Sequence, residues 1–300
     1  MILRDFDYVA PTGLEEAVEF LAKHNGRARP LSGGTDLIDH VRTGRLEPDL
    51  IIDVKKIAEL NVLEIGDSGL RLGAAVPCYE IYNHQEISTR YAALADSCRI
   101  IGGIQIQSRA SVGGNICNSG PAADTTPSVI ALGGVCVISG PNGTREVPSE
   151  EFCTGPGRNV LQPSELLVEF RFPPRPANSG SHYRRFIPRN EMDIAVVGVG
   201  AAVELAEDGE RILSARLALG AVAPTPLRVP AAEEALAGQP TNDETLANAA
   251  KAAQQAISPI TDMRGTAEYR IHLTEVLTRR VLQAAIARAR GDSTDYKPGH

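Results

Sequence analysis

At 300 residues, 43% of them hydrophobic, the chain is long for one hydrophobic core, and two or three compact units are expected. Its formal charge of -7 comes with no lysine or arginine block able to track a phosphate backbone, which argues against nucleic acid as a partner. The apolar start breaks at Arg4 and Asp5 and no later apolar run is long enough to cross a bilayer, so neither a signal peptide nor membrane association is expected, and the cytoplasm is the default location.

An extended start leads into residues 13–24, where Leu14, Ala17, Val18, Phe20 and Leu21 recur at helical spacing and Thr12 is a candidate N-cap. A strand at Arg29–Leu31 runs into a Gly-Gly pair. A helix over 35–42 and a buried strand over 50–54 complete an N-terminal α/β unit, residues 1–57. A second unit, 58–176, opens with short strands at 63–65 and 70–72 joined by a tight turn, continues as a helical section from Tyr79 to Ile101, and passes a second Gly-Gly pair before a strand over 166–172. The run of prolines and turn formers over 173–180 cannot supply ladder hydrogen bonds and reads as a linker. The third unit, 177–290, has strands at 195–205 and 213–223, then helices at 231–236, 243–256 and 264–290. In the last helix Arg264, Arg270, Arg279 and Arg280 read as a solvated face. The polar tail 291–300 is expected to be disordered.

Five cysteines stand singly, outside any short ligand spacing, and six histidines form no metal-binding pair; no metal site is expected, and each thiol reads as a small buried hydrophobe. The chemistry therefore falls to the glycine pairs. Adjacent glycines between a strand and a helix let backbone N–H groups approach an anion without Cβ obstruction. Leu31-Ser32-Gly33-Gly34-Thr35-Asp36 has that form, and Ser111-Val112-Gly113-Gly114-Asn115 repeats it with a flanking hydroxyl and amide, so a diphosphate held between the two is a consistent reading. Neither has the spacing of a dinucleotide fold or a P-loop. Asp124, beyond a Ser-Gly-Pro turn, is open to two readings: a carboxylate swung toward a ligand hydroxyl, or the N-cap of a helix starting near Thr126.

With these loops the sequence resembles the FAD-binding medium subunits of the molybdenum hydroxylases, the group of xanthine and carbon monoxide dehydrogenases. The resemblance is carried by residues 32–37, 109–116 with Asp124, 165–167, 192–195 and 267–270. It implies an α+β fold: a PCMH-type FAD-binding domain of two subdomains, followed by a C-terminal α+β domain like that of carbon monoxide dehydrogenase flavoproteins. It further implies that Leu31, Ser32, Gly33, Gly34, Thr35 and Asp36, with Ser111, Gly113, Gly114 and Asn115, form the diphosphate site. Ile101 would pack on adenine, Asp124 would take a flavin-side hydroxyl, and Leu167 and Ile187 would sit by the isoalloxazine. Where some relatives carry a lysine, this chain has Ile187, leaving Arg189 as the nearby cation.

The resemblance implies an oxidoreductase subunit whose cofactor is FAD and which itself supplies no catalytic residue. It would pass electrons from a small [2Fe-2S] subunit to an external acceptor, beside a large molybdopterin-binding subunit, in paired heterotrimers. A self-sufficient FAD-dependent reductase or oxidase, and a nucleotide-binding assembly module without redox duty, are the alternatives.

Overall fold

The computed structural model describes residues 5–292. The sequence-based expectation of a disordered tail falls almost wholly outside them. Three parallel strands, β1 (Asp7–Val9), β2 (Ala28–Leu31) and β3 (Leu50–Asp53), form a sheet in the order β1-β3-β2, with α1 (Leu14–His24) and α2 (Leu37–Arg42) in its connections. β3 is central and buried at every position, as an uninterrupted Leu-Ile-Ile run requires. The N-cap of α1 is Gly13 rather than Thr12, and no side chain closes that end. Glu15 and Glu16 in the first turn, with Lys23 and His24 in the last, complement the helix dipole instead.

The second sheet is antiparallel. It contains β4 (Leu63–Gly66), β5 (Gly69–Gly73), β6 (Val135–Gly140), β7 (Gly143–Pro148) and, after a small hairpin of β8 (Cys153–Gly155) and β9 (Arg158–Asn159), the central β10 (Leu166–Phe172). Its order is β4-β5-β10-β6-β7. Between β5 and β6 the expected helical section breaks into α3 (Cys78–Asn83), α4 (Gln85–Arg90) and α5 (Ala92–Ile100). The break before α5 comes at Tyr91, which is fully buried 6.1 Å from the Phe172 ring and donates its hydroxyl to the Pro173 carbonyl at 3.0 Å. Packing of that one ring outweighs helical continuity. Short helices α6 (Ile104–Gln107), α7 (Val112–Asn118) and α8 (Thr126–Ala131) follow, and α9 (Ser149–Phe152) follows β7.

The third sheet, β11 (Ser179–Phe186), β12 (Val197–Leu205), β13 (Ile212–Gly220) and β14 (Leu227–Arg228), is an antiparallel meander backed by α10 (Pro230–Leu236), α11 (Asp243–Gln255) and α12 (Ala267–Ala289). β11 was not expected: its sequence Ser-Gly-Ser-His-Tyr-Arg-Arg-Phe lacks apolar alternation, yet it pairs with β12 along its whole length. Its buried polar side chains meet partners: Ser181 Oγ accepts from the Ala93 N–H at 3.1 Å, and His182 Nδ1 meets Asp96 at 2.7 Å. Gly180 lies so close to α12 that a Cβ would come within 2.1 Å of the Ala285 carbonyl. Arg270 also departs from expectation. It is 3% exposed and donates to the carbonyls of Val196 and Ala221 at 2.7 and 2.9 Å and to Asp262 at 2.7 Å, tying the start of α12 to the sheet rather than facing solvent.

The second and third sheets are joined through Asp96 of α5, 2% exposed. Its carboxylate meets His182 Nδ1 at 2.7 Å, the Tyr183 N–H at 3.2 Å, and both terminal nitrogens of Arg288 at 2.6 and 3.0 Å. Burial would raise this carboxyl, but the hydrogen bonds from His182 and Arg288 outweigh it and hold Asp96 below the ordinary carboxylate range. A group with a depressed folded value contributes stability that is present above the unfolded value of about 3.9 and lost as pH falls through the folded one. Arg288→Ala should cost about 3–5 kcal/mol in urea unfolding at neutral pH, because it strands a buried charge. In acid, wild type should lose more stability than Asp96→Asn; equal slopes would show that Asp96 is not the group responsible.

Candidate functional site

The first loop leaves the C-terminal end of β2, the rim at which open parallel sheets place ligands. Leu31 anchors it: its carbonyl accepts from the Val54 N–H at 3.1 Å. Gly34 has a φ of +74°, a left-handed turn that an L side chain resists. Among the described residues no protein acceptor meets the N–H groups of Gly33, Gly34 and Thr35. Three consecutive free donors on a concave loop suit an anion.

The second loop crosses from α6 to α7. Ser111 is the N-cap of α7, its hydroxyl accepting from the Gly114 N–H at 3.0 Å. Asn115 Oδ1 accepts from both the N–H and the hydroxyl of Thr125, at 3.0 and 2.7 Å. Since an N–H can only donate, this fixes the amide and leaves Asn115 Nδ2 as the free donor.

The loops touch. Ser32 Oγ and Ser111 Oγ are 3.0 Å apart, and a Cβ on Gly33 would fall 2.1 Å from the Arg109 carbonyl. Gly113 is pressed in the same way against the Ala74 carbonyl. Gly114 differs: the one atom near a Cβ there would be Ser111 Oγ at 3.2 Å, and the residue opens to solvent. Gly33 and Gly113 are thus demanded by the fold, whereas a Cβ on Gly114 would meet only the Ser111 hydroxyl.

That space is a cleft of about 580 Å³ between the first two sheets, within the range of small-molecule sites. Ser32, Gly33, Gly34, Thr35 and Asp36 line one wall and Ser111, Gly113, Gly114 and Asn115 the other, with Ile101 and Leu167 as apolar surface. Two residues outside the expected set, the cation Arg29 and the imidazole of His40, also line it. Arg29 donates to the carbonyls of Gly26 and Ala28, at 2.5 and 2.8 Å. Cys117 lines the cleft too, and burial pushes its thiol up to about 12, which suits packing rather than nucleophilic work.

Three expected residues stand off the lining. Leu31 serves as backbone anchor. Asp124 is 7% exposed and bound by Arg185 Nη1 at 2.5 Å, with the Tyr183 hydroxyl at 3.4 Å; Arg185 also donates to the Ile100 carbonyl at 2.7 Å. Burial drives the Asp124 carboxyl above the ordinary range, and Arg185 and Tyr183 bring it only part of the way back. Nor does it cap α8, whose N-cap is Thr125. Ile187 is half-buried just past β11, while Arg189 is turned onto Asp193 at 3.3 Å and the Met192 carbonyl at 3.0 Å. The Met192 N–H donates to the Gly102 carbonyl at 3.2 Å, which sets the loop over 187–193 beside Ile101.

No helix among the described residues is long and apolar enough to cross a membrane. Residues 4–175 match the family model of the FAD binding domain in molybdopterin dehydrogenase, and residues 182–285 match that of the CO dehydrogenase flavoprotein C-terminal domain. The chain is 34% identical over 280 residues to the xanthine dehydrogenase FAD-binding subunit of Escherichia coli O157:H7, covering 93% of this chain and 95% of that one. It is 31% identical over 288 residues to the carbon monoxide dehydrogenase medium chain of Hydrogenophaga pseudoflava, covering 96% and 99%. Among solved structures, carbon monoxide dehydrogenase from Hydrogenophaga pseudoflava superposes with a TM-score of 0.91 at 32% identity, over 96% of this chain and 99% of that one. Quinoline 2-oxidoreductase from Pseudomonas putida 86 gives 0.88 at 26% identity, over 96% and 99%. The two loops, the cleft between them and these matches along nearly the whole chain agree: the protein belongs to the FAD-binding subunits of the molybdenum hydroxylase family, an oxidoreductase family whose cofactor in this subunit is FAD.

Proposed function

We propose that this chain relays electrons, accepting them from the [2Fe-2S] clusters of a small partner subunit and releasing them through FAD to an external acceptor, beside a large molybdopterin-binding subunit and in paired heterotrimers. The observation that carries it is the cradle: three free N–H groups on Gly33, Gly34 and Thr35, joined to the second loop by the contact of Ser32 with Ser111. Bound FAD supplies the redox chemistry, and the chain's share is to hold and surround it.

On this reading the first-loop N–H groups and Asn115 Nδ2 donate to the diphosphate, with no lysine needed in direct contact. Ser111 holds the Gly114 N–H and steadies the α7 end of the second loop. Because Ile101 stands beside the segment over 187–193, we assign it to the isoalloxazine end rather than to adenine; Leu167 joins it as apolar wall. Asp124 and Arg185 act from behind that wall: through Ile100 and Thr125 they border both Ile101 and Asn115. Arg189, paired with Asp193, is a weaker candidate for contact with the ring than the sequence implies.

Gly114→Val should abolish flavin absorption in the purified protein while leaving the fold intact, since Gly114 lines the cleft and its Cβ would meet only the Ser111 hydroxyl, not backbone. Gly33→Ala should lose FAD and melt at lower temperature as well, because its Cβ meets backbone. Cys117→Ala should keep FAD. Equal FAD content in all three variants would contradict the cradle assignment. For the relay, purification of the native assembly followed by molybdenum and iron analysis should find both metals with this chain. Full turnover of an organic substrate by the FAD-loaded chain alone would instead establish a self-sufficient enzyme.

A further inference from the structure

Glycines at 33 and 34 allow the close approach the cradle needs, and the same freedom lets the peptide between Ser32 and Gly33 rotate. A trans peptide is planar, with its C=O and N–H pointing in opposite directions, so whatever holds the Ser32 carbonyl also aims the Gly33 N–H. In this structure the holder is Lys55, whose ammonium donates to the Ser32 carbonyl at 3.3 Å.

Lys55 is held in turn. Its ammonium lies 2.8 Å from Asp53 Oδ1, and its own N–H donates to the same oxygen at 3.0 Å. The other carboxylate oxygen accepts the Tyr8 hydroxyl at 2.6 Å. Asp53 is 7% exposed and ends β3, the central strand, in register with Leu31 of β2, so its position is set by the sheet. Burial would raise the Asp53 carboxyl, but the hydrogen bonds from Lys55 and Tyr8 more than offset it, keeping Asp53 ionised and the ammonium paired. Beyond Ser32 the chain of contacts continues through Ser32 Oγ and Ser111 Oγ to the Gly114 N–H. One hydrogen-bonded line therefore runs from the edge strand β1 through the first loop into the second.

We propose that Lys55, fixed by Asp53 and Tyr8, is the positioning residue of the cradle: it pins the Ser32 carbonyl so that the Gly33 N–H is presented to the diphosphate before the ligand arrives. Lys55 acts through Ser32. The proposal rests on FAD binding at this cleft, and it adds a residue that neither glycine loop contains.

The test is a titration of the full chain, stripped of flavin, with FAD, read by flavin fluorescence, for wild type, Lys55→Met and Lys55→Arg. Losing a charge-assisted hydrogen bond that preorganises the loop should raise the Kd of Lys55→Met about tenfold. Lys55→Arg, which keeps a cationic donor, should recover most of that loss. Asp53 keeps the Tyr8 hydroxyl and the Lys55 backbone N–H in both variants, so the melting temperature of the flavin-free protein should stay close to wild type. A Kd unchanged in Lys55→Met, a Lys55→Arg as weak as the methionine variant, or an affinity loss matched by a destabilised flavin-free protein would each overturn the positioning role. If wild type itself binds no FAD while remaining folded, the cradle assignment falls and the positioning role with it.

Discussion

The approach of Gly33 to the Arg109 carbonyl is the constraint on which the rest of the site depends. Two backbones from different subdomains lie so close that no side chain fits between them. Each loop alone is an ordinary glycine turn. Held together, they place the free donors of one opposite the fixed amide of the other, and the cleft exists because neither can move away. The contact of Ser32 with Ser111 sets the two loops laterally, and Asp53 and Lys55 hold the first loop from behind.

Electrostatics in this molecule are arranged at a distance from the ligand surface. The buried carboxylates Asp53, Asp96 and Asp124 all end in partners from other elements: Tyr8 and Lys55, His182 and Arg288, and Arg185. A buried carboxylate left alone would carry a large desolvation penalty, so each pairing fixes the elements that supply it. Asp124 and Arg185 draw β11 of the third sheet against the end of α5, directly behind Ile101. The C-terminal unit therefore takes part in shaping the cleft although its sheet does not line it. Asp96 repeats the arrangement farther along β11.

The cofactor site is correspondingly light on direct charge. Backbone N–H groups and one amide meet the expected position of the diphosphate, while Arg29 is turned onto the carbonyls of Gly26 and Ala28. A site of this composition favours binding by geometry over Coulomb attraction. At Gly114 a Cβ would meet the Ser111 hydroxyl at 3.2 Å and no backbone, so the fold presses on this glycine less than on Gly33 or Gly113.

Read by itself, the sequence determined the features that are local in the backbone. Both glycine pairs, the tight turn between β4 and β5, the buried run of β3 and the helices behind the third sheet follow from residue types within a few positions of one another, and the family resemblance carried by the loops and the α+β fold was borne out. Only the tertiary structure decided where side chains find partners far along the chain. Asp124 had two local readings, and the partner it took was Arg185, from a strand with no apolar alternation to announce it. Arg270 resembled its solvated neighbours on α12 until the carbonyls of Val196 and Ala221 came within reach. Lys55 drew no notice beside a strand end. Backbone preference is set by neighbours in sequence, whereas the cost of burying a charge is settled only by what folding brings beside it, and that is where sequence and structure diverged.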